Sequence, residues 1–284
     1  MGSKIIPYDP DNRERKVVDE TLTAVPGEWR FSEDVSKAFD SHVRKSVPFY
    51  DELQRMVIEL SEYFVRDQSV VYDLGSSTGA TLKLLSDTHS GKEDVQYLGF
   101  DLSESMVKEA RAKVKRPNVR FHHRNIMDVN FSPPGNFMTA LFTLQFLTLA
   151  ERRLLLARIN EALIEGGGLI IVEKVCAEYS SFEGIWNELH WDFKRRQGLT
   201  PEQILEKANS IRGVLNPLTI NENLEILTQT GFDRVEVFFK WYNWAGFVAV
   251  KNNALVRRQP SAPVQAPEPR GQTRKKNTKR SRNG

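Results

Sequence analysis

Cysteine occurs once in the 284 residues, as Cys176, so no intramolecular disulfide framework is available and a reducing compartment is expected. Long hydrophobic runs are missing as well. The most apolar stretch, Ala140–Ala150 (ALFTLQFLTLA), is interrupted by Thr and Gln and falls far short of the roughly 18 residues a membrane span needs. The opening MGSKIIPYDPDNRERK has no apolar h-region, and Ile6 breaks the pattern that would make Gly2 a myristoylation site. Neither a G-x-G-x-x-G turn nor a P-loop lysine occurs, which argues against a nicotinamide dinucleotide or a triphosphate cradle. His122 and His123 are adjacent with no carboxylate or Cys at metal spacing, so no metal site is expected. These absences predict a soluble cytoplasmic protein with no membrane partner.

The chain is 40% hydrophobic and 27% charged, enough to bury a real core. Its charge is unevenly spread. From Arg257 onward nine Lys or Arg face a single acid, Glu268, which gives the tail +8 and leaves −5 for the rest of a chain whose total is +3. Residues 253–284 are also rich in Pro, Ser, Gln and Asn, and are expected to form a disordered basic tail. Such a tail is either a nonspecific arm for nucleic acid, acting by counterion release, or a solvated extension.

Along the rest of the chain the hydrophobic period sets the expected architecture. Residues 1–28, punctuated by Pro7, Pro10 and Pro26, predict a flexible segment. A helical lid over 29–66 follows, with Ser32 as an N-cap and a second helix over Val47–Val65 that has Pro48 in its first turn. Strands are predicted at Ser69–Leu74, Val95–Phe100, Val119–His122, Phe137–Thr143 and Leu169–Lys174. Helices at Thr78–Ser86, Ser103–Lys115 and Glu151–Glu165 separate them, the last closed by Gly166 as C′ residue. A helical insertion over 176–231 carries Thr200 and Thr219 as capping-box residues. Arg234–Lys240 and Trp244–Lys251 lie too close for a crossover helix and must pair antiparallel at a sheet edge. Five parallel strands and a terminal hairpin describe a doubly wound, Rossmann-like α/β sheet of seven strands, the class I methyltransferase arrangement, over residues 29–252.

In such a sheet ligands sit at the carboxyl ends of the strands. The sequence VVYDLGSSTG (70–79) places Asp73 at the first strand's end, followed by Gly75, Ser76, Ser77 and Gly79 in the turn. Gly75 tolerates positive φ and both glycines allow close backbone approach. Asp73 suits an ammonium group. Asp101, 28 positions on and followed by Leu102, suits the two hydroxyls of an unphosphorylated ribose. Ribose plus an amino-acid moiety with no phosphate cradle points to S-adenosylmethionine (SAM).

Several longer stretches taken together, EWRFSEDVSKAFDSHVRKSVPFY (28–50), VYDLGSSTGAT (71–81), FTLQFL (142–147), GGLIIVEK (167–174), HWDFKRRQG (190–198) and NWAGFVAVK (243–251), resemble the carboxy-S-adenosyl-L-methionine synthase family. The resemblance implies a homodimer that converts SAM and prephenate to carboxy-SAM, used to build a 5-oxyacetic acid group on a tRNA wobble uridine. It also implies that Tyr50, Gly75, Ser76, Ser77 and Asp101 contact the cofactor. At three positions this chain departs from the family. The acid near the adenine is Asn125, beside Ile126; the asparagine before FTLQFL is Leu141; and the arginine that pairs with the added carboxylate is Ala208. Ala208 cannot supply a guanidinium's paired hydrogen bonds. Arg212, one turn on, is a candidate replacement, while Ala208 itself fits an apolar stripe of Ile204, Leu205 and Ile211.

His190, Lys194 and Arg195 are further candidates for holding an anionic second substrate, with His190 and Lys194 sharing a helix face at i, i+4. Trp241, Tyr242 and Trp244 suit base stacking, core packing or a dimer interface. Methyl transfer needs no catalytic dyad, because the sulfonium is already activated. The reading is a SAM-dependent methyltransferase with an unidentified small-molecule or RNA-linked acceptor, with carboxy-SAM synthesis as the alternative reaction. A noncatalytic SAM- or nucleic-acid-binding protein is the alternative of another class.

Overall fold

The computed structural model describes residues 16–19, 22–24 and 33–251. Ser32 and the basic tail lie outside the described residues. The central sheet has seven strands: β3 (Val70–Leu74), β4 (Gln96–Asp101), β5 (Val119–His123), β6 (Gly135–Leu141), β7 (Leu163–Lys174), β8 (Phe232–Trp241) and β9 (Trp244–Lys251). Their spatial order is β5-β4-β3-β6-β7-β9-β8, parallel except where β9 runs against both β7 and β8. The first five strands are β-branched and apolar because both faces are covered.

Alternation along β3 divides the core. Val70, Tyr72 and Leu74 face α5 (Leu149–Ala162) and α8 (Ile220–Gln229), whose Leu155, Leu156, Ile159, Ile226 and Leu227 join them. Val71 faces the other side, with Leu53 and Val57 of α2 (Tyr50–Ser61), Leu82 and Leu85 of α3 (Ala80–Thr88), and Val107 and Ala110 of α4 (Glu104–Lys113). The helix α8 therefore belongs to the sheet's covering layer. Within the predicted insertion, α6 (Ser180–Arg196) and α7 (Pro201–Ser210) are the elements that reach the ligand side.

Four details differ from expectation. The segment ahead of the lid is not wholly irregular: β1 (Lys16–Asp19) pairs antiparallel with β2 (Leu22–Ala24), and Val18 is fully buried with Val35 and Met106. Pro48 lies in the turn before α2, because Phe49 adopts a left-handed conformation (φ 56°) and the helix starts at Tyr50. Gly166 does not cap α5. That helix stops at Ala162, Leu163 is already extended, and the glycines at 166–168 form an irregularity in β7 before pairing with β6 resumes. On α7, Ile204 is buried but Leu205 is 58% exposed, so the apolar stripe is narrower than the spacing implies.

The capping boxes at Thr200 and Thr219 are formed as their sequences predict. The two helices ahead of β3 are tied to α3 and the turn before it by polar contacts. Thr78 donates to Asp40 of α1 (Glu33–Ser46) at 2.6 Å, and Gln54 donates to Thr81 at 3.2 Å.

Candidate active site

The carboxyl ends of β3, β4, β6 and β7 open into a cavity of about 930 Å³ that α1, α2, α6 and α7 close over. At its base the β3 turn folds tightly: Gly75 and Ser76 both donate their N–H to Phe100 O, at 2.8 and 2.9 Å. Gly75 has φ +78°, and a Cβ there would lie 2.2 Å from Thr143 Oγ1. Its absence is what lets β6's end approach the turn. Gly79 does not line the cavity. A Cβ there would meet Phe121 and Ala110, so it serves close helix-to-strand packing. Gly75→Ala is expected to lower the melting temperature and weaken ligand binding by tenfold or more, through overlap and positive-φ strain of about 1 kcal/mol. Thr143→Ala in the same chain should recover part of the loss, measured by thermal unfolding and SAM titration.

Asp73 is 2% exposed. Its Oδ1 accepts from Thr139 Oγ1 at 2.7 Å, while its Oδ2 is buried without a partner. Burial, with a smaller contribution from Asp101, raises its pKa to about 7. Asp101 accepts Ser77 N–H on one oxygen and Ser103 N–H on the other, both at 2.8 Å, leaving a second lone pair on each. Other cavity-lining residues also carry buried polar atoms without partners: Ser76 Oγ, Gln54 Oε1 and Trp244 Nε1. Buried polar atoms normally find partners, so orphans gathered in one cavity mark a site shaped for a polar ligand. An ammonium at Asp73, ribose hydroxyls at Asp101 and close backbone approach at Gly75 fit SAM.

Tyr50, Leu102, Asn125, Ile126 and Leu141 line the same cavity. Tyr50 stacks on Phe142, and burial raises its pKa to about 12. Leu102 is 69% exposed and Asn125 is exposed, so both stand at the mouth. Asn125 Oδ1 accepts Met127 N–H at 3.0 Å, capping the short turn that follows β5. The opposite end is closed by α6. His190 donates Nε2–H to Ser46 O at 2.9 Å, tying α6 to the lid. Burial and the charge on Lys194 push its pKa well down, so it is a neutral imidazole and not an anion-binding cation.

Lys194 lines the cavity and is buried, with its pKa lowered to about 7 by burial and by Lys174. Two other candidates point away. Arg195 is exposed beside Asp192, because it lies about 100° further around α6 than Lys194. Arg212 lies beyond the end of α7, is exposed, and donates to Asn209 Oδ1 at 2.9 Å. It does not line the cavity. Lys207, the residue before Ala208, does.

Sequence reasoning missed Lys174, Gln145 and Glu173. The first two line the cavity, and Glu173 is fully buried behind it. Glu173 accepts Leu144 N–H at 2.9 Å and Gln145 N–H at 2.7 Å, and Gln145 returns to accept Lys174 N–H at 3.0 Å. Arg152, 1% exposed, donates to Leu144 O and Asn216 O, each at 2.9 Å. FTLQFL and the EK that ends β7 are thus one clamp that fixes the cavity wall. The available signal was an acid and a base ending an otherwise apolar strand.

Residues 71–167 match the family model of a methyltransferase domain. Human N-acetylserotonin methyltransferase in complex with SAM shares the fold at a TM-score of 0.55 and 15% identity, over 78% of this chain and 56% of that one. An O-methyltransferase family protein from Burkholderia thailandensis gives 0.56 and 16%, over 78% and 60%. Fold and site together define a SAM-binding domain of the class I methyltransferase type. Relatives in sequence are narrower in kind. Carboxy-S-adenosyl-L-methionine synthase of Staphylococcus epidermidis is 37% identical over 80% of this chain and 98% of its own length. The enzyme of that name from Methylococcus capsulatus is 37% identical over 79% and 94%. The chain belongs to the carboxy-S-adenosyl-L-methionine synthase family, and it is a SAM-dependent transferase.

Proposed function

We propose that this chain makes carboxy-SAM from SAM and a small carboxylate donor, prephenate in the family it belongs to. The observation that carries this reading is that the cavity lined by Asp73 and Asp101 is lined also by Lys194 of α6 and by Lys174 at the end of β7. At about 930 Å³ it sits near the top of the roughly 300–1,000 Å³ typical of small-molecule sites. That volume suits a cofactor and a small co-substrate held together.

SAM supplies a carbon activated by its sulfonium. Asp73 would take its ammonium, Asp101 its ribose, and Tyr50, Asn125, Ile126 and Leu141 would line the remainder. The lid and α6 exclude water from the reacting groups. The family's role in tRNA wobble-uridine modification extends to this chain as part of the proposal, as does a cytoplasmic location. Among the described residues no helix is long and apolar enough to cross a membrane. Exposed Phe182, Ile185 and Trp191 on α6 support a homodimer, and the basic tail supports weak nucleic-acid contact.

Incubating the purified full chain with SAM and prephenate, and following both by mass spectrometry, tests the reaction. Carboxy-SAM formed in proportion to prephenate consumed is expected. S-adenosylhomocysteine accumulating instead would indicate methyl transfer and sink the proposal.

A further inference from the structure

Two lysines that line the cavity, Lys174 and Lys194, are not among the residues assigned above to SAM. Lys174 ends β7, where Gln145 fixes its backbone, and Lys194 is 7% exposed on α6. Neither ammonium makes a hydrogen bond or salt bridge among the described residues. Lysines ordinarily extend their charge to water, so a buried ammonium beside a half-buried one, without a carboxylate, is costly and calls for a counter-anion. The groups that act on them do not provide one at contact distance. Glu183 and Cys176 act on Lys174 through space, and Lys194 faces Lys174 and the neutral His190. The sulfonium of SAM would add a further positive charge.

We propose that Lys174 and Lys194 together form the subsite that holds the anionic co-substrate by its carboxylate groups. The subsite rests on the reading of the cavity as holding SAM and a co-substrate together. Two ammoniums are point charges on flexible stems and impose less geometry than a guanidinium fork. The subsite should therefore discriminate by charge more than by carboxylate orientation. Binding the anion keeps Lys194 protonated, so affinity should weaken as pH rises above about 7, where the free side chain loses its proton.

The test is calorimetric titration of full-length protein saturated with S-adenosylhomocysteine, using prephenate as probe. Lys194→Met and Lys174→Met should each weaken prephenate binding about tenfold or more, consistent with losing a charge-assisted contact. Lys194→Arg should stay within about threefold of wild type and lose the fall in affinity above neutral pH, because a guanidinium does not titrate there. Binding of S-adenosylhomocysteine should be unchanged in all three. Lys194→Met removes a buried charge and should melt no lower than wild type, which separates lost binding from lost folding. Methionine variants that bind prephenate as tightly as wild type would overturn the subsite. So would wild-type protein that binds S-adenosylhomocysteine and no prephenate. Failure to bind S-adenosylhomocysteine at all would instead defeat the SAM reading on which the subsite rests.

Discussion

Asp73→Asn should weaken SAM binding about 100-fold, a loss of about 2.7 kcal/mol, while making the ligand-free protein more stable. Both effects come from one atom. Asp73 Oδ2 is buried with no partner, and burial raises the carboxyl's pKa to about 7. In the unfolded chain the same group titrates near its ordinary value of 3.8. Between these two values the folded state binds more protons than the unfolded one, so stability falls as pH rises from about 4 to about 7 and then levels. The cost of holding that charge without a partner is on the order of a few kcal/mol. An asparagine has no charge to desolvate, so its ligand-free form should lack Asp73's part of this slope and keep the part that Glu173, raised by burial to about 7, contributes. It also cannot accept an ammonium as an ion, so the affinity drops. Denaturation with urea from pH 4 to 8, with and without SAM, checks both halves. A wild-type protein whose ligand-free stability is flat across that range would contradict the assignment of Asp73.

Glu173→Ala should cost about 3–5 kcal/mol of stability, the range for removing one member of a buried charged network. Glu173 is fully buried, and burial pushes its pKa up to about 7, against the pull of Arg152 and of the two N–H groups it accepts. With the carboxylate gone, Leu144 N–H and Gln145 N–H lose their acceptor and Arg152 loses its nearby acid. Gln145 also holds the backbone of Lys174, so the damage should spread to the cavity wall. Glu173→Gln keeps one acceptor and should lose roughly half as much, on the scale of about 1–3 kcal/mol for one unsatisfied group. The urea midpoint at pH 7 measures both. An alanine variant within about 1 kcal/mol of wild type would show that the clamp does not hold the wall.

These two residues also mark what a sequence makes legible. Asp73 was readable because its neighbours have a physical reason to be what they are: a β-branched strand, then a turn whose Gly75 cannot carry a Cβ against Thr143. The strand and helix sequence followed from period, and the terminal hairpin from the short gap between Lys240 and Trp244. Glu173 and Lys174 gave no periodic signal, since a charged pair at a strand's end reads as solvated until β6, α5 and α6 are placed around it. Arg212 and Lys207 show the same limit at helix scale. Which cation faces the cavity depends on where α7 ends, at Ser210, and a few residues' uncertainty in that boundary exchanges one for the other. Gly166 misled for a related reason, because positive φ serves an irregular strand as well as a helix end.

The central claim is that one cavity holds SAM chemistry together with an anion. Purified full-length protein, denatured after isolation and analysed by mass spectrometry for released small molecules, tests it most directly. Carboxy-SAM among the released molecules is the predicted result. Protein that releases no SAM-derived compound, and that also fails to take up added SAM, would contradict the account at its base.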